Sequence, residues 1–210
     1  ITKLMTALVA TDHMNIEKTI TVNSKAIIQT SLPRLQTGEE ASIYDLLFPL
    51  LLESSNEAAE AIAYAPGRER FVKLMNEKAK AIGMNQTNFA DPAGRADENT
   101  GSAEDLLSLA KYLYSNRSFI LKMTTNHLDK SIYGEPAYSN LKNLNIFGDE
   151  PDFVGGKVGK STIAKETMLA VFEVEIQGER RPIVIIVLGS SDNGGDVKKI
   201  LDYIETNYGA

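Results

Sequence analysis

The end of the chain constrains it most. Met168, Ala170, Phe172, Val174 and Ile176 recur at every second position, the period of a half-buried strand. Gln177 to Arg180 read as a turn, and the apolar run PIVIIVLG (182–189) returns as a strand buried on both faces. Two long strands joined by so short a turn pair antiparallel.

Everything ahead of this pair has helical period. Ile1, Leu4, Met5 and Leu8 share one helix face. Ser42 with Asp45 forms a capping box before IYDLLFPLLLE, which is apolar on nearly every side and therefore central and buried. SSNEAAEAIAYA restarts a helix just after Ser54 and Ser55. Phe71, Met75, Ala79 and Ile82 mark a helix over 68–83 with Gly83 as its stop. Ser102 and Asp105 open another, continuing through Leu106, Leu109, Ala110 and Leu113, and a final helix places Val197, Ile200, Leu201 and Ile204 on one side. KTITV is a short β-prone piece, while SLPRLQTGEE, NFADPAGRADENTG and most of 127–152 read as loop. Clustered helices followed by consecutive strands make an α+β chain, not an alternating βαβ one.

The 210 residues, 43% of them hydrophobic, suffice for one core, so a single domain over 1–210 is expected. A net charge of −6 argues against a nucleic-acid partner. No apolar run reaches the roughly 18 residues of a membrane span. Cysteine is absent, so neither a disulfide nor a thiolate metal site is available. His13 and His127 are far apart and read as ordinary surface or half-buried residues rather than metal ligands or a triad base. The chain opens on Ile1 inside an apolar pattern, as expected of a processed or partial chain.

FVGGKVGKST (153–162) imitates a phosphate-binding loop. Such a loop needs glycine five positions before the Gly-Lys-Ser, and Val154 stands there. TMLAVFEVEI follows as a strand where a helix is required. The nucleotide reading fails on spacing and on context.

Three short pieces remain: ITK at the start, Ser54-Ser55-Asn56 at a helix junction, and Lys157-Val158-Gly159 ahead of a strand. Singly each is a helix cap or a turn. In this order, about fifty and about a hundred residues apart, they resemble the Ser-x-x-Lys, Ser-x-Asn and Lys-Thr-Gly set of serine acyl-transfer enzymes. The flanks extend the likeness. TKLMTALVA resembles the helix after the nucleophile in D-alanyl-D-alanine carboxypeptidases, the low-molecular-mass penicillin-binding proteins. LLFPLLLESSNEAAEAIA resembles their buried helix running into Ser-Gly-Asn-Asp-Ala, TNFADPAG their Asn-Pro-x-Gly loop, and LKNLNIF with FVGGKVGKS their Asn-x-Asn segment leading to Gly-Gly-Lys-Thr-Gly.

The resemblance implies the penicillin-binding and β-lactamase type of fold, an antiparallel sheet flanked by helices, with the family's N-terminal strands missing from this chain and a sheet edge exposed. It implies a D,D-carboxypeptidase acting outside the cytoplasmic membrane on peptidoglycan peptides ending in D-Ala-D-Ala, inhibited covalently by β-lactams, with no metal and no organic cofactor. The nucleophilic serine would sit one position before Ile1, three residues from Lys3 and on its helix face. Lys3 would be the base, its pKa lowered by burial and by Lys157. Ser54 would relay a proton to the leaving amine, and Asn56 would hold the substrate amide and orient Lys3. Lys157 would attract the substrate carboxylate, Gly159 would admit its backbone, and the Lys160 N–H would complete the oxyanion hole. Val158 replaces the threonine whose hydroxyl helps bind that carboxylate, with Ser161 and Thr162 as nearby hydroxyls.

Two rivals stay open. A class A β-lactamase would need a Glu-x-x-x-Asn loop, and Glu135 with Asn140 has the wrong spacing. A pseudoenzyme that binds cell-wall peptide or a protein partner without turnover is favoured by Val158 and by the absent serine.

Overall fold

Helix α1 (Thr2–His13) runs through the middle of the helical layer, with Lys3 to Ala10 all buried. The computed structural model describes residues 1–128, 134 and 137–209. A short pair, β1 (Thr19–Thr21) and β2 (Glu40–Ser42), leads into α2 (Ile43–Leu51), then α3 (Asn56–Tyr64), α4 (Arg68–Ala81), α5 (Ala103–Asn116) and α6 (Ser118–Lys122). Strands β3 (Phe153–Ser161), β4 (Lys165–Ile176) and β5 (Glu179–Ser190) form an antiparallel sheet in chain order, and α7 (Asn193–Tyr208) follows. The α+β reading holds.

Capping chemistry sets the helix starts. Ser42 Oγ accepts from the Asp45 N–H at 3.0 Å, as expected of the N-cap, while the Asp45 carboxylate returns to the Ser42 hydroxyl at 2.5 Å rather than to its backbone N–H. Ser55 and Ser102 cap α3 and α5 in the same way, through Ala58 and Asp105. Pro49 lies within α2, and its carbonyl accepts from the Ser55 N–H at 2.9 Å. That bond ties the end of α2 to the start of α3 across Ser54.

The sheet separates two apolar clusters. Leu169 and Val171 face the helical layer, together with Leu4, Leu8, Leu46 and Ile62. Met168, Ala170 and Phe172 face the other way, against Phe147, Phe153 and Val197 of α7. It is therefore β4, between β3 and β5, that is buried on both faces, with Met168 to Phe172 all below 2% exposed. The reading of 182–189 holds in part: Val184 and Ile186 pack on the helical-layer cluster and Ile183, Ile185 and Val187 on the other, but in β5 only Ile185, Val187 and Ser190 are fully buried and Leu188 is 45% exposed. Leu169 and Val171 fill the in-between positions that the alternation of β4 was thought to leave polar.

Smaller differences have equally local causes. Gln177 and Gly178, both at positive φ, make the whole hairpin turn, so β5 starts at Glu179. On α7, Val197, Leu201 and Ile204 pack inward while Ile200 is 39% exposed. Residues 153–161 are not a loop before a strand but strand β3 itself, and their glycines are the reason. A Cβ on Gly156 would lie 2.1 Å from the Leu169 carbonyl oxygen, and one on Gly155 2.3 Å from that of Leu121. Only bare backbone lets β3 close on β4 and α6. No helix among the described residues is long and apolar enough to cross a membrane.

Candidate active site

The first turn of α1 carries Lys3 into the interior, leaving it 6% exposed. Its ammonium donates to Asn56 Oδ1 at 2.9 Å and to the Ala93 carbonyl at 2.7 Å. Asn56 opens α3, so the Ser-x-Asn junction reaches Lys3 directly, as expected. The Asn56 Nδ2 donates to the Gln29 carbonyl at 2.8 Å, and its N–H to Thr30 Oγ1 at 3.1 Å.

The loop that presents the Ala93 carbonyl is wrapped around the Asp91 carboxylate. The Asp91 carboxylate accepts from the N–H groups of Ala93 (2.7 Å), Gly94 (2.6 Å), Arg95 (3.0 Å) and Ala96 (2.5 Å), and from Asn99 Nδ2 (3.0 Å). Burial would raise the Asp91 pKa, yet these donors keep it below the ordinary carboxylate range. The same loop grips α1 again where Thr6 Oγ1 donates to the Pro92 carbonyl at 2.6 Å. Gly94, at φ +79°, brings the loop against Thr2, where an added Cβ would meet Oγ1 at 2.9 Å. Asp91 and the Gln29–Thr30 pair were missed by sequence reasoning. The Asn-Pro-x-Gly likeness pointed at the first, whereas nothing pointed at a loop that works through a carbonyl and one hydroxyl.

Lys157, on β3, is 2% exposed, and among the described residues its ammonium donates only to its neighbour's carbonyl, Val158 O, at 3.1 Å. Burial, with repulsion from Lys3, lowers its pKa from 10.5 to about 7. Burial lowers that of Lys3 from 10.5 to about 8, with Asp91 opposing and Arg95 adding to the drop. Two lysines that share a dry space cannot both stay charged cheaply. The Ile1 nitrogen is buried beside the same two side chains.

Ser54 lies between α2 and α3 at φ +58°, a left-handed conformation unusual for serine. Its side chain has no hydrogen-bond partner among the described residues. Strand alternation turns Val158 away from Lys157, and it packs on the α7-side cluster beside its strand partner Met168. Val158 thus meets Lys157 through its carbonyl, while its side chain adds an apolar contact and no hydroxyl. Lys160 pairs with Glu166 at 2.7 Å, and Ser161 Oγ accepts from the Ala164 N–H at 3.0 Å. Both side chains thus serve the β3–β4 turn. Gly159 stays close to the Ile1 nitrogen, which a Cβ would meet at 3.3 Å. A cavity of about 510 Å³, bounded by Ile1, Gly94, Arg95, Gly159, Lys160 and Ser161, adjoins this centre without reaching Lys3, Ser54, Asn56 or Lys157. Glu135 lies outside the described residues, while the Asn140 carbonyl accepts from Arg34 at 3.0 Å.

Residues 1–192 match the family model of D-alanyl-D-alanine carboxypeptidases. The chain belongs to that family. Among relatives of this carboxypeptidase-family chain, the D-alanyl-D-alanine endopeptidase of Escherichia coli is 27% identical over 98% of the chain and 68% of its own length. The D-alanyl-D-alanine carboxypeptidase DacF of Bacillus subtilis is 29% identical over 99% of the chain, which spans 55% of that protein. The crystal structure of a D-alanyl-D-alanine carboxypeptidase from Mycobacterium tuberculosis superposes with a TM-score of 0.75 at 26% identity, over 89% of this chain and 71% of that one. A variant of a Streptomyces DD-transpeptidase shares the fold, with a TM-score of 0.77 at 23% identity over 96% of this chain and 85% of that one. The α+β fold of this family member is the one found in the penicillin-binding DD-peptidases.

Proposed function

We propose that this family member is a serine-type D,D-peptidase that opens the D-Ala-D-Ala ends of peptidoglycan stem peptides through an acyl-enzyme, outside the cytoplasmic membrane. One observation carries the reading: Lys3 is buried, shares its space with Lys157, and is aimed by Asn56 and the Ala93 carbonyl. A lysine so placed can be neutral near physiological pH and act as a base.

The nucleophilic hydroxyl belongs to the residue before Ile1 in the natural gene, one helical turn from Lys3. Lys3 takes its proton while the oxygen bonds to the carbonyl carbon of the penultimate D-alanine. The proton then passes by way of Ser54 to the terminal D-alanine nitrogen as the peptide bond breaks. Water later cleaves the ester, and Lys3 is neutral again at the end. Lys157 pairs with the substrate carboxylate, which restores its own charge, and Asn56 holds the substrate amide. The backbone of Val158, Gly159 and Lys160 lies along β3, which has no strand on its outer edge among the described residues. The Lys160 N–H, with that of the nucleophile, faces the developing oxyanion.

Labelled penicillin tests this on the natural full-length protein. The expected result is a covalent adduct on the serine before Ile1 that is lost in Lys3→Ala. No adduct in the unsubstituted protein, with D-Ala-terminated peptide still bound, overturns it in favour of a binding protein without turnover, the reading Val158 favours. The endopeptidase name of the Escherichia coli relative supports a second substrate, the cross-linked peptide. Release of free D-alanine from a pentapeptide, against release of monomers from a cross-linked dimer, decides between the two.

A further inference from the structure

Asn56 has one amide oxygen and one amide NH2 group, and only the oxygen can accept from Lys3. Which end faces Lys3 is decided on its other side. The Gln29 carbonyl can only accept, so it draws Nδ2 and leaves Oδ1 for Lys3. Thr30 Oγ1 accepts from the Asn56 N–H and fixes the start of α3. The segment 29–35 is therefore the template on which the lysine's partner is set.

That segment is tied down at its far end by the Arg34 side chain and by the Glu57 carboxylate. The Arg34 guanidinium donates to both carboxylate oxygens of Glu53, through Nε and Nη2. The Glu53 side chain is fully buried, while that of Arg34 is 25% exposed. Glu53 Oε1 also accepts from the Lys142 N–H at 2.8 Å, and Arg34 Nη2 donates to the Asn140 carbonyl at 3.0 Å. The Arg34 and Leu35 N–H groups donate to Glu57 Oε2 at 3.1 and 3.3 Å. Glu53 directly precedes Ser54, and Glu57 directly follows Asn56. One arginine thus bridges the template segment, the junction that carries Ser54 and Asn56, and the chain at 140–142.

We propose that Arg34 is a positioning residue for Lys3: by clamping Glu53 it holds the Gln29–Thr30 template against Asn56, and so keeps Asn56 Oδ1 on the lysine. The inference rests on the peptidase reading for its consequence in catalysis, and on geometry alone for its effect on Lys3. Among the described residues, the titratable groups facing Lys3 are Asp91 and Arg95 from the 91–96 loop, Lys157 from β3 and the Ile1 nitrogen. None of them belongs to the clamp.

The test compares Arg34→Met, Asn56→Ala and the double variant in the full-length protein, with penicillin acylation, Lys3 side-chain NMR titration and urea unfolding as readouts. Arg34→Met is expected to unfold cooperatively yet acylate about tenfold more slowly or worse. In the Asn56→Ala background the same substitution should change the rate by less than about twofold, since its target is already gone. The Lys3 titration midpoint should fall in Arg34→Met, because an acceptor that favours the charged form has been lost. Where Arg34→Met fails to fold, Thr30→Val removes one template contact without touching the ion pair and is expected to act in the same direction. Acylation by Arg34→Met within twofold of the unsubstituted protein, or an equal loss with and without Asn56, overturns the proposal. If the unsubstituted protein takes no label, the peptidase reading has failed. The Lys3 midpoint then decides the positioning role: a fall supports it and an unmoved midpoint sinks it.

Discussion

Lys3 and Asn56, separated by 53 positions in the chain, meet through a hydrogen bond of 2.9 Å at the junction of two helices. The contact is possible because α1 is buried nearly end to end and α3 begins at Asn56 itself. Around it stand the Ala93 and Gln29 carbonyls and the Thr30 hydroxyl, so small changes in backbone placement bear directly on the lysine's proton.

The backbone at Ser54 opposes the role of its side chain. A non-glycine residue in the left-handed region costs about 1 kcal/mol or more, and Ser54 is held there at φ +58°. Ser54→Gly is expected to leave the fold at least as stable in urea titration while lowering penicillin acylation by about 100-fold or more. A variant that is both less stable and fully active would break the link between strain and function.

Stability should rise with pH because of the buried lysines. The pKa values of Lys3 and Lys157 fall from 10.5 to about 8 and about 7 on folding, so between those values and 10.5 the unfolded chain binds more protons. The cost of burying the two charges is felt fully below this window and is relieved as pH climbs through it. Melting temperature is expected to increase from pH 7 to 9.5, and Lys157→Met should flatten that slope. An unchanged slope in the variant would exclude Lys157 as its source.

Asp91 works in the opposite sense. Its folded pKa lies below the ordinary 3.8, so its contribution is present above that value and is lost as pH falls through the lowered one. Asp91→Asn keeps the size but loses charge and acceptors, and is expected to cost about 3 kcal/mol at neutral pH. The variant should also show a shallower acid-denaturation profile. A curve parallel to that of the unsubstituted protein would argue that other carboxylates set the acid limit.

Gly156 should tolerate no side chain. An added Cβ would lie 2.1 Å from the Leu169 carbonyl oxygen on the partner strand, and backbone cannot step aside there without breaking the ladder. Gly156→Ala is expected to cost about 4 kcal/mol or more, or to prevent folding. Recovery of a soluble protein with an unshifted urea midpoint would contradict this.

What the amino-acid order revealed followed the chemistry that writes itself into short patterns. The meeting of Lys3 with Asn56 and its closeness to Lys157 were legible because the three short motifs, in their order and spacing, resemble those of one family. Ser42, Ser55 and Ser102 announced helix starts because a capping hydroxyl has a fixed offset from its target. Arg34, Gln29 and Thr30 left no such trace, since a loop that acts through its own carbonyl looks like any other loop. The facing of Val158 depends on the register of β3, and that is settled by the Gly155–Gly156 contacts with α6 and β4, which have no period. The continuous apolar run in β5 did mark packing on two faces, but the end of that run, at Leu188, reaches past both clusters and is exposed.

The placement of β4 between two apolar clusters has a consequence in time as well as in energy. Its amides from Met168 to Phe172 are bonded to strands on both edges and shielded on both faces, so hydrogen–deuterium exchange there requires the whole sheet to open. Helix α7, shielded on one side only, can fray and exchange sooner. Lys157 pairs with Leu169 across β3 and β4, so this buried lysine sits on an outer strand whose inner neighbour is the slow-exchanging β4, and that neighbour would hold it in place while outer elements breathe.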